Sequence, residues 1–200
     1  MSNEIIVVEK TDCISWNDIH EVLWAAHETT RQMGIYYPTS EMTGDELEEF
    51  IRARNGRCYV AMDGDKVVGT VSCYVENVHT RLFRGKFLSL ALSGIIPQYK
   101  GKQIFSKLYN VCYNYAKSAG LKGMIYGTAE KNYTMRRIFE NKGFVYYRCS
   151  YNKKKKRFVV GGIYCFDKLP HGKTYYALIF KLKQMLAHVR YTTNKIRFGI

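Results

Sequence analysis

Phe87-Leu88-Ser89-Leu90-Ala91-Leu92, then Pro97-Gln98-Tyr99-Lys100-Gly101-Lys102, then Gln103 to Ala119 follow one another near the middle of this 200-residue chain. The first piece reads as a strand. The second is a polar turn with a glycine. The third places Ile104, Leu108, Val111, Tyr115 and Ala119 three or four apart, which is helix spacing, and Gly120 ends it. Gly123–Thr128 then reads as a second strand, and Asn132–Lys142 as a second helix stopped by Gly143. A strand that feeds a glycine-bearing turn into a helix start leaves backbone N–H groups unpaired, at the positive end of the helix dipole. Lys100 and Lys102 add two full charges. That combination suits a phosphate or a pyrophosphate.

The totals bound what surrounds this stretch. Hydrophobic content of 46% with 14% aromatics argues for a real core and against disorder. No apolar run approaches the roughly 20 residues of a membrane span. The N-terminus lacks a basic region followed by an apolar stretch, so no signal peptide is read. The six cysteines lie far apart without a Cys-x-x-Cys pair, which predicts buried, reduced thiols and a cytoplasmic protein. The five histidines show no metal spacing, so no metal is expected. There is no Walker loop and no Gly-x-Ser-x-Gly elbow.

Charge is uneven. The net charge is +14, yet residues 131–200 alone carry 17 Lys+Arg and 2 Asp+Glu, a balance of +15. That segment sets up a field that attracts anionic partners.

Outward from the central stretch, Glu4–Glu9 reads as a first strand. Ser15 caps a helix running to about Met33, and Gly34–Thr43 is a Tyr-rich loop. A short helix spans 45–54. Arg57–Met62, Asp63-Gly64-Asp65 and Lys66–Glu76 read as a hairpin, and His79–Gly85 as a basic connection. Val145–Tyr151, the basic tip 152–157 and Phe158–Phe166 read as a second hairpin. From Thr174 to Arg190, Tyr175, Leu178, Ile179, Leu182, Met185, Leu186 and Val189 form one stripe, with Lys181, Lys183, Gln184, His188 and Arg190 opposite. This is a basic amphipathic helix. Its first assignment is packing on its own domain and its second a membrane surface; its start, 175–180, also fits a strand.

The order of the central pieces resembles the GNAT superfamily of acyl-CoA-dependent N-acyltransferases. Gln98-Tyr99-Lys100-Gly101-Lys102-Gln103 is similar to the family's pyrophosphate loop: Gln or Arg, two residues, Gly, one residue, Gly or Ala. Asn132 to Gly143-Phe144 resembles the family's second motif. The resemblance covers roughly Glu4 to Leu169. It implies an α/β GNAT fold: a central mixed, mostly antiparallel twisted sheet of about six or seven strands flanked by helices. Residues 1–170 would form the acyltransferase domain, and 171–200 a basic C-terminal helical extension packed on the same domain.

The resemblance also implies roles. In this fold the central strand and the next splay apart, and the pantetheine arm pairs with exposed backbone. Gly94, Ile95 and Ile96 would meet that arm, and Gln98, Tyr99, Lys100, Gly101, Lys102, Gln103 and Ile104 the pyrophosphate. Asn132 would reach the arm, or simply cap its helix, and Phe139 would also border the coenzyme. Tyr36, Tyr37 and Glu41 would wall the acceptor site. Three departures stand out: Gln103 where Gly or Ala is usual, Phe105 where a second Gly is common, and Phe139 where many members carry a proton-donating Tyr. The base is Glu76, at the family-like place, or Glu130. Tyr126, Tyr146 and Tyr147 are candidate acids.

The activity implied is acetyl transfer from acetyl-CoA to a primary amine, without a metal. The basic segment points to a small anionic acceptor, such as an amino sugar, a nucleotide sugar or a lipid-linked sugar. Two alternatives follow from the same charge. An acidic acyl carrier protein is one donor that the basic face would dock. A non-catalytic nucleic-acid-binding protein is the other reading, less favoured because both coenzyme-like motifs would be idle. The assembly is open between monomer and homodimer.

Overall fold

The structure is a computed structural model that describes residues 4–35, 37, 41–153 and 156–198, with side chains as far as 195. The chain divides into two compact units, 1–121 and 122–200.

The first unit is built on four antiparallel strands: β1 (Ile6–Glu9), β2 (Arg57–Asp63), β3 (Lys66–His79) and β4 (Arg84–Ile95), hydrogen-bonded in that order. Helices α1 (Trp16–Ala26), α2 (Glu28–Gln32) and α3 (Gly44–Arg52) precede β2, and α4 (Ile104–Ser118) follows β4. Capping boxes explain two of the starts. Ser15 accepts from Asn17 N while Asp18 accepts from Ser15 N, and Thr43 and Glu46 repeat the arrangement.

The period of β3 sorts its neighbours. Gly69 faces α4, since a Cβ there would meet Ile104 Cγ2 at 3.1 Å. Tyr74, on the opposite face, meets Phe50 of α3 edge-on at 6.2 Å. Val60, Val68, Leu88, Ile104, Leu108 and Cys112 make up the dry interior.

The second unit holds β5 (Gly123–Ala129), α5 (Tyr133–Asn141), β6 (Val145–Asn152), β7 (Arg157–Cys165) and α6 (Lys173–Phe198). β7 lies between β5 and β6 and is antiparallel to both. Met124, Phe139, Phe144, Val160, Ile163, Tyr176 and Phe180 are buried.

The expected α/β architecture is present, and its seven strands among the described residues meet the expected number. Three readings need correction. The helix from Ser15 breaks at His27 (φ −97°, ψ 3°), giving α1 and α2. The connection 79–85 is a tight turn: both strands run on until His79 pairs with Arg84, and Thr80 Oγ1 accepts from Leu82 N and Phe83 N. The C-terminal segment is helical throughout, with no strand at 175–180. As for α6 itself, it docks by the face opposite its aliphatic stripe. Lys183 Nζ donates to Tyr147 O at 2.7 Å, Phe180 packs on Tyr146 with ring centroids 4.6 Å apart, and the aliphatic stripe is exposed.

Candidate active site

The site begins with a bulge in β4. Thr70 pairs with Gly94 and Ser72 with Ala91, so β4 carries one extra residue there, and Leu92 takes the left-handed conformation (φ 43°). Gly94 follows. A Cβ on it would lie 2.8 Å from Ala26 Cβ, so glycine is what lets α1 close on the strand. Ile95 turns toward α4, and Ile96 N–H bonds Val68 O at 3.1 Å.

Pro97–Tyr99 forms one 3-10 turn, with Tyr99 N–H and Lys100 N–H bonding back to Ile96 O and Pro97 O. The next three residues differ. Among the described residues no backbone carbonyl accepts from Gly101, Lys102 or Gln103 N–H. Gly101 has φ +84°, with open space where a side chain would stand. Gln103 caps α4 through its backbone, in the left-handed region (φ 59°, ψ 13°), and Lys107 N–H reaches its carbonyl at 3.1 Å.

Those dihedrals explain the family's preference for a small residue at this place. The backbone, more than the side-chain volume, favours glycine. Phe105 packs down the helix on Tyr109, centroids 6.4 Å apart. Tyr99 donates its hydroxyl to Asp63 at 2.5 Å, which holds its phenol above the usual range, and Lys102 Nζ lies 4.6 Å from the Tyr99 ring centre. Ile104 is buried, so its side chain serves the core.

A cleft of about 960 Å³ adjoins this turn. It runs along α1 (Asp18, Glu21, Val22, Trp24, Ala25), past Glu28, to the β2–β3 turn and Ile96–Gln98. Five carboxylates line it, from Asp18, Glu21, Glu28, Asp63 and Asp65, against one cation, Lys66. Three of them are engaged: Asp18 in the α1 cap, Glu28 with Arg31 and Gln32, Asp63 with Tyr99. Sequence reading missed this cleft, because its carboxylates come from three separate segments.

Among the acceptor-wall candidates, Tyr36 lies outside the described residues. Tyr37 stacks on His27 at 4.6 Å, and Glu41 is exposed. His20 Nδ1 meets Met42 O at 2.6 Å and ties that loop to α1. Glu76 is half-buried on the α3 face of β3, paired with Phe87. It lies about 20 Å along the strand from Thr70, which marks the bulge.

The second unit holds the remaining candidates. Glu130 is buried, and its carboxylate is already satisfied. Gln184 Nε2 donates to Oε1 at 2.5 Å, and His188 Nε2 lies 3.0 Å from both oxygens. Cys149 Sγ is 3.9 Å away, and burial together with the Glu130 charge pushes that thiol up to about 11. Asn132 caps α5 by accepting from Met135 N. Phe139 is buried and stacks on Tyr126 at 3.7 Å. Tyr126 donates to Tyr146 at 3.2 Å, and burial drives both phenols upward. A phenol held above its ordinary range gives up its proton less readily to a thiolate. Tyr147 is buried, and its carbonyl holds α6. Among the described residues no group of three His, Cys, Asp or Glu is placed to hold a metal, and no helix is long and apolar enough to cross a membrane.

The chain belongs to the acetyltransferase (GNAT) family, whose model matches residues 16–144. It is thus an N-acetyltransferase that uses acetyl-CoA. Solved structures agree on the fold. A probable acetyltransferase from Staphylococcus epidermidis is 14% identical, with TM-score 0.64 over 82% of this chain and 100% of that one. The NatC complex bound to Gag peptide and CoA is 12% identical, with TM-score 0.63 over 82% and 99%. Arabidopsis thaliana NAA60 in complex with a bisubstrate analogue is also 12% identical, with TM-score 0.60 over 81% and 98%. A search of curated proteins found no match.

Proposed function

We propose that the chain acetylates the primary amine of a small acceptor, with the coenzyme's pyrophosphate held by the turn Gln98–Ile104. The observation that carries this reading is the run of three N–H groups at Gly101, Lys102 and Gln103, which no backbone carbonyl among the described residues accepts from and which precede the N-terminus of α4. Such a cradle gains most from an anion. Lys100 and Lys102 add charge, and the space where a side chain at 101 would stand is open. Acetyl-CoA supplies the activated acetyl group. The chain's tasks are to fix its phosphates, align the amine, and let that amine shed its proton before attack. Glu76, the candidate base, lies about 20 Å along β3 from the bulge, so a proton from an amine held there would reach it only along a chain of waters. With Phe139 unable to donate, positioning carries more of the rate, and water supplies the proton that the thiolate takes.

For the acceptor, the +15 balance of residues 131–200 supports an anionic amine of the amino-sugar, nucleotide-sugar or lipid-linked-sugar kind. The acidic cleft favours a second reading, a cationic amine such as a diamine, drawn toward Glu21 and Asp65. Initial rates on one amine in a carboxylate-bearing and an ammonium-bearing form decide between them. Equal rates would dismiss both charge arguments. Thiol release with acetyl-CoA against an acetylated carrier protein tests the donor in the same assay.

A further inference from the structure

We infer that α6 is an interfacial helix whose outer face lies on an anionic lipid bilayer. A terminal helix normally hides its aliphatic side in its own domain. Here the arrangement is reversed. The docked side is aromatic and polar: Tyr176 and Phe180 are buried, Lys183 bonds Tyr147 O, Gln184 and His188 hold Glu130, and Tyr191 packs on Tyr151 at 4.1 Å. These contacts fix the helix's rotation. They leave Leu178 63%, Met185 56%, Val189 55%, Leu182 48%, Leu186 41% and Tyr175 37% exposed. At 100° per residue the six fall within an arc of about 100° and run about 21 Å along the axis. They form one continuous strip; scattered exposed leucines would need no explanation, but a strip marks an interaction surface.

Charge selects the occupant. Lys181 and Arg190 border the strip, each about 40° beyond its edge. α6 has six Lys and Arg and no Asp or Glu, in a unit with 18 basic and 3 acidic residues. A second copy meeting the strip would set one such helix against another, cation against cation. An anionic bilayer takes the aliphatic strip into its interface and the flanking cations at its phosphates. Among the described residues no helix is long and apolar enough to cross the bilayer, and the contact inferred for α6 is a peripheral one.

The test is co-sedimentation of the full chain with vesicles of phosphatidylcholine alone, and with roughly one third phosphatidylserine. Binding is expected on the anionic vesicles, about thirtyfold above the neutral ones and falling with salt, from two well-placed cations. The double variant Leu182→Ser/Val189→Ser should lower it by about tenfold or more. Lys181→Gln/Arg190→Gln should remove most of the preference for the anionic surface. Leu178→Gln/Met185→Gln serves as a second apolar pair, and an unchanged acetyl-CoA titration shows that each variant is folded. Three results would overturn the inference. One is no binding to anionic vesicles. Another is binding that the strip variants leave intact, which would move the contact to the basic hairpin tip. The third is a micromolar dimer in sedimentation velocity that Leu182→Ser dissolves, which would give the strip to a second copy.

Discussion

Replacing Gln103 tests why this chain departs from its family at the phosphate turn. The residue has φ 59° and ψ 13°, and no side-chain cap hydrogen bond. A residue with a Cβ held there gives up about 1–2 kcal/mol relative to the right-handed region. Gln103→Gly removes that strain but lets the unfolded chain gain about 0.5–1 kcal/mol of backbone entropy. The net expectation is stabilisation of up to about 1 kcal/mol, or a rise of about 2–4 °C in melting temperature for a chain of this size. Gln103→Val should go the other way by about 1–2 kcal/mol, because a β-branched residue is least at home in that region. Urea titrations of the three proteins, followed by far-UV circular dichroism, give the order Gly, Gln, Val. Affinity for acetyl-CoA in Gln103→Gly should stay within about threefold of the parent, since the N–H groups of the cradle remain. A Gly variant weaker than the parent, or a Val variant equal to it, would refute the left-handed cap and the account of the family's small residue with it.

The other expectations concern the second unit. Glu130→Ala should cost about 1–3 kcal/mol in denaturant unfolding, since it strips the carboxylate from Gln184 and His188; if Glu130 is only an anchor, Glu130→Gln keeps most of the turnover, and a loss of about 10³-fold at unchanged stability would make it the base. Phe139→Tyr should lower stability by about 1–3 kcal/mol without raising kcat, because the ring is buried against Tyr126; a gain in kcat would show that the family's acid position is still live. Burial, then a neighbouring carboxylate, raises Cys149 and Cys165 from 9.0 to about 11. Between those values the folded protein keeps protons that the unfolded chain has lost, so these thiols favour folding below pH 9 and lose that contribution as pH rises toward 11. Iodoacetamide mapping by mass spectrometry near pH 8 should therefore label exposed Cys13 first, and equal labelling of Cys149 would contradict the burial.

How much was legible beforehand depended on range along the chain. The strand–turn–helix unit around Gly101 was, because its signals are local: a polar turn, a glycine, then apolar spacing. Even there the buried stripe of α4 is Ile104, Leu108, Tyr109, Cys112 and Ala116, where the sequence favoured Val111, Tyr115 and Ala119. Small residues can pack inward as well as large ones, and Arg57 lies over the Tyr115 ring at 4.6 Å. The break at His27 carries no glycine or proline to announce it. Periodicity showed that α6 has two faces but could not say which meets its own unit. That choice rests on contacts made across more than fifty residues, between Glu130 and both Gln184 and His188. The acidic cleft was invisible for the same reason.

The claim that matters most is that the turn from Gln98 to Ile104 holds the coenzyme. Its direct test is a calorimetric titration with acetyl-CoA at moderate salt, on the native chain and on Gly101→Trp. The account predicts binding on the order of micromolar in the native protein and a loss of at least about tenfold in the variant, whose indole would stand before the cradle. No heat from the native protein, or equal affinity in the two, would contradict it.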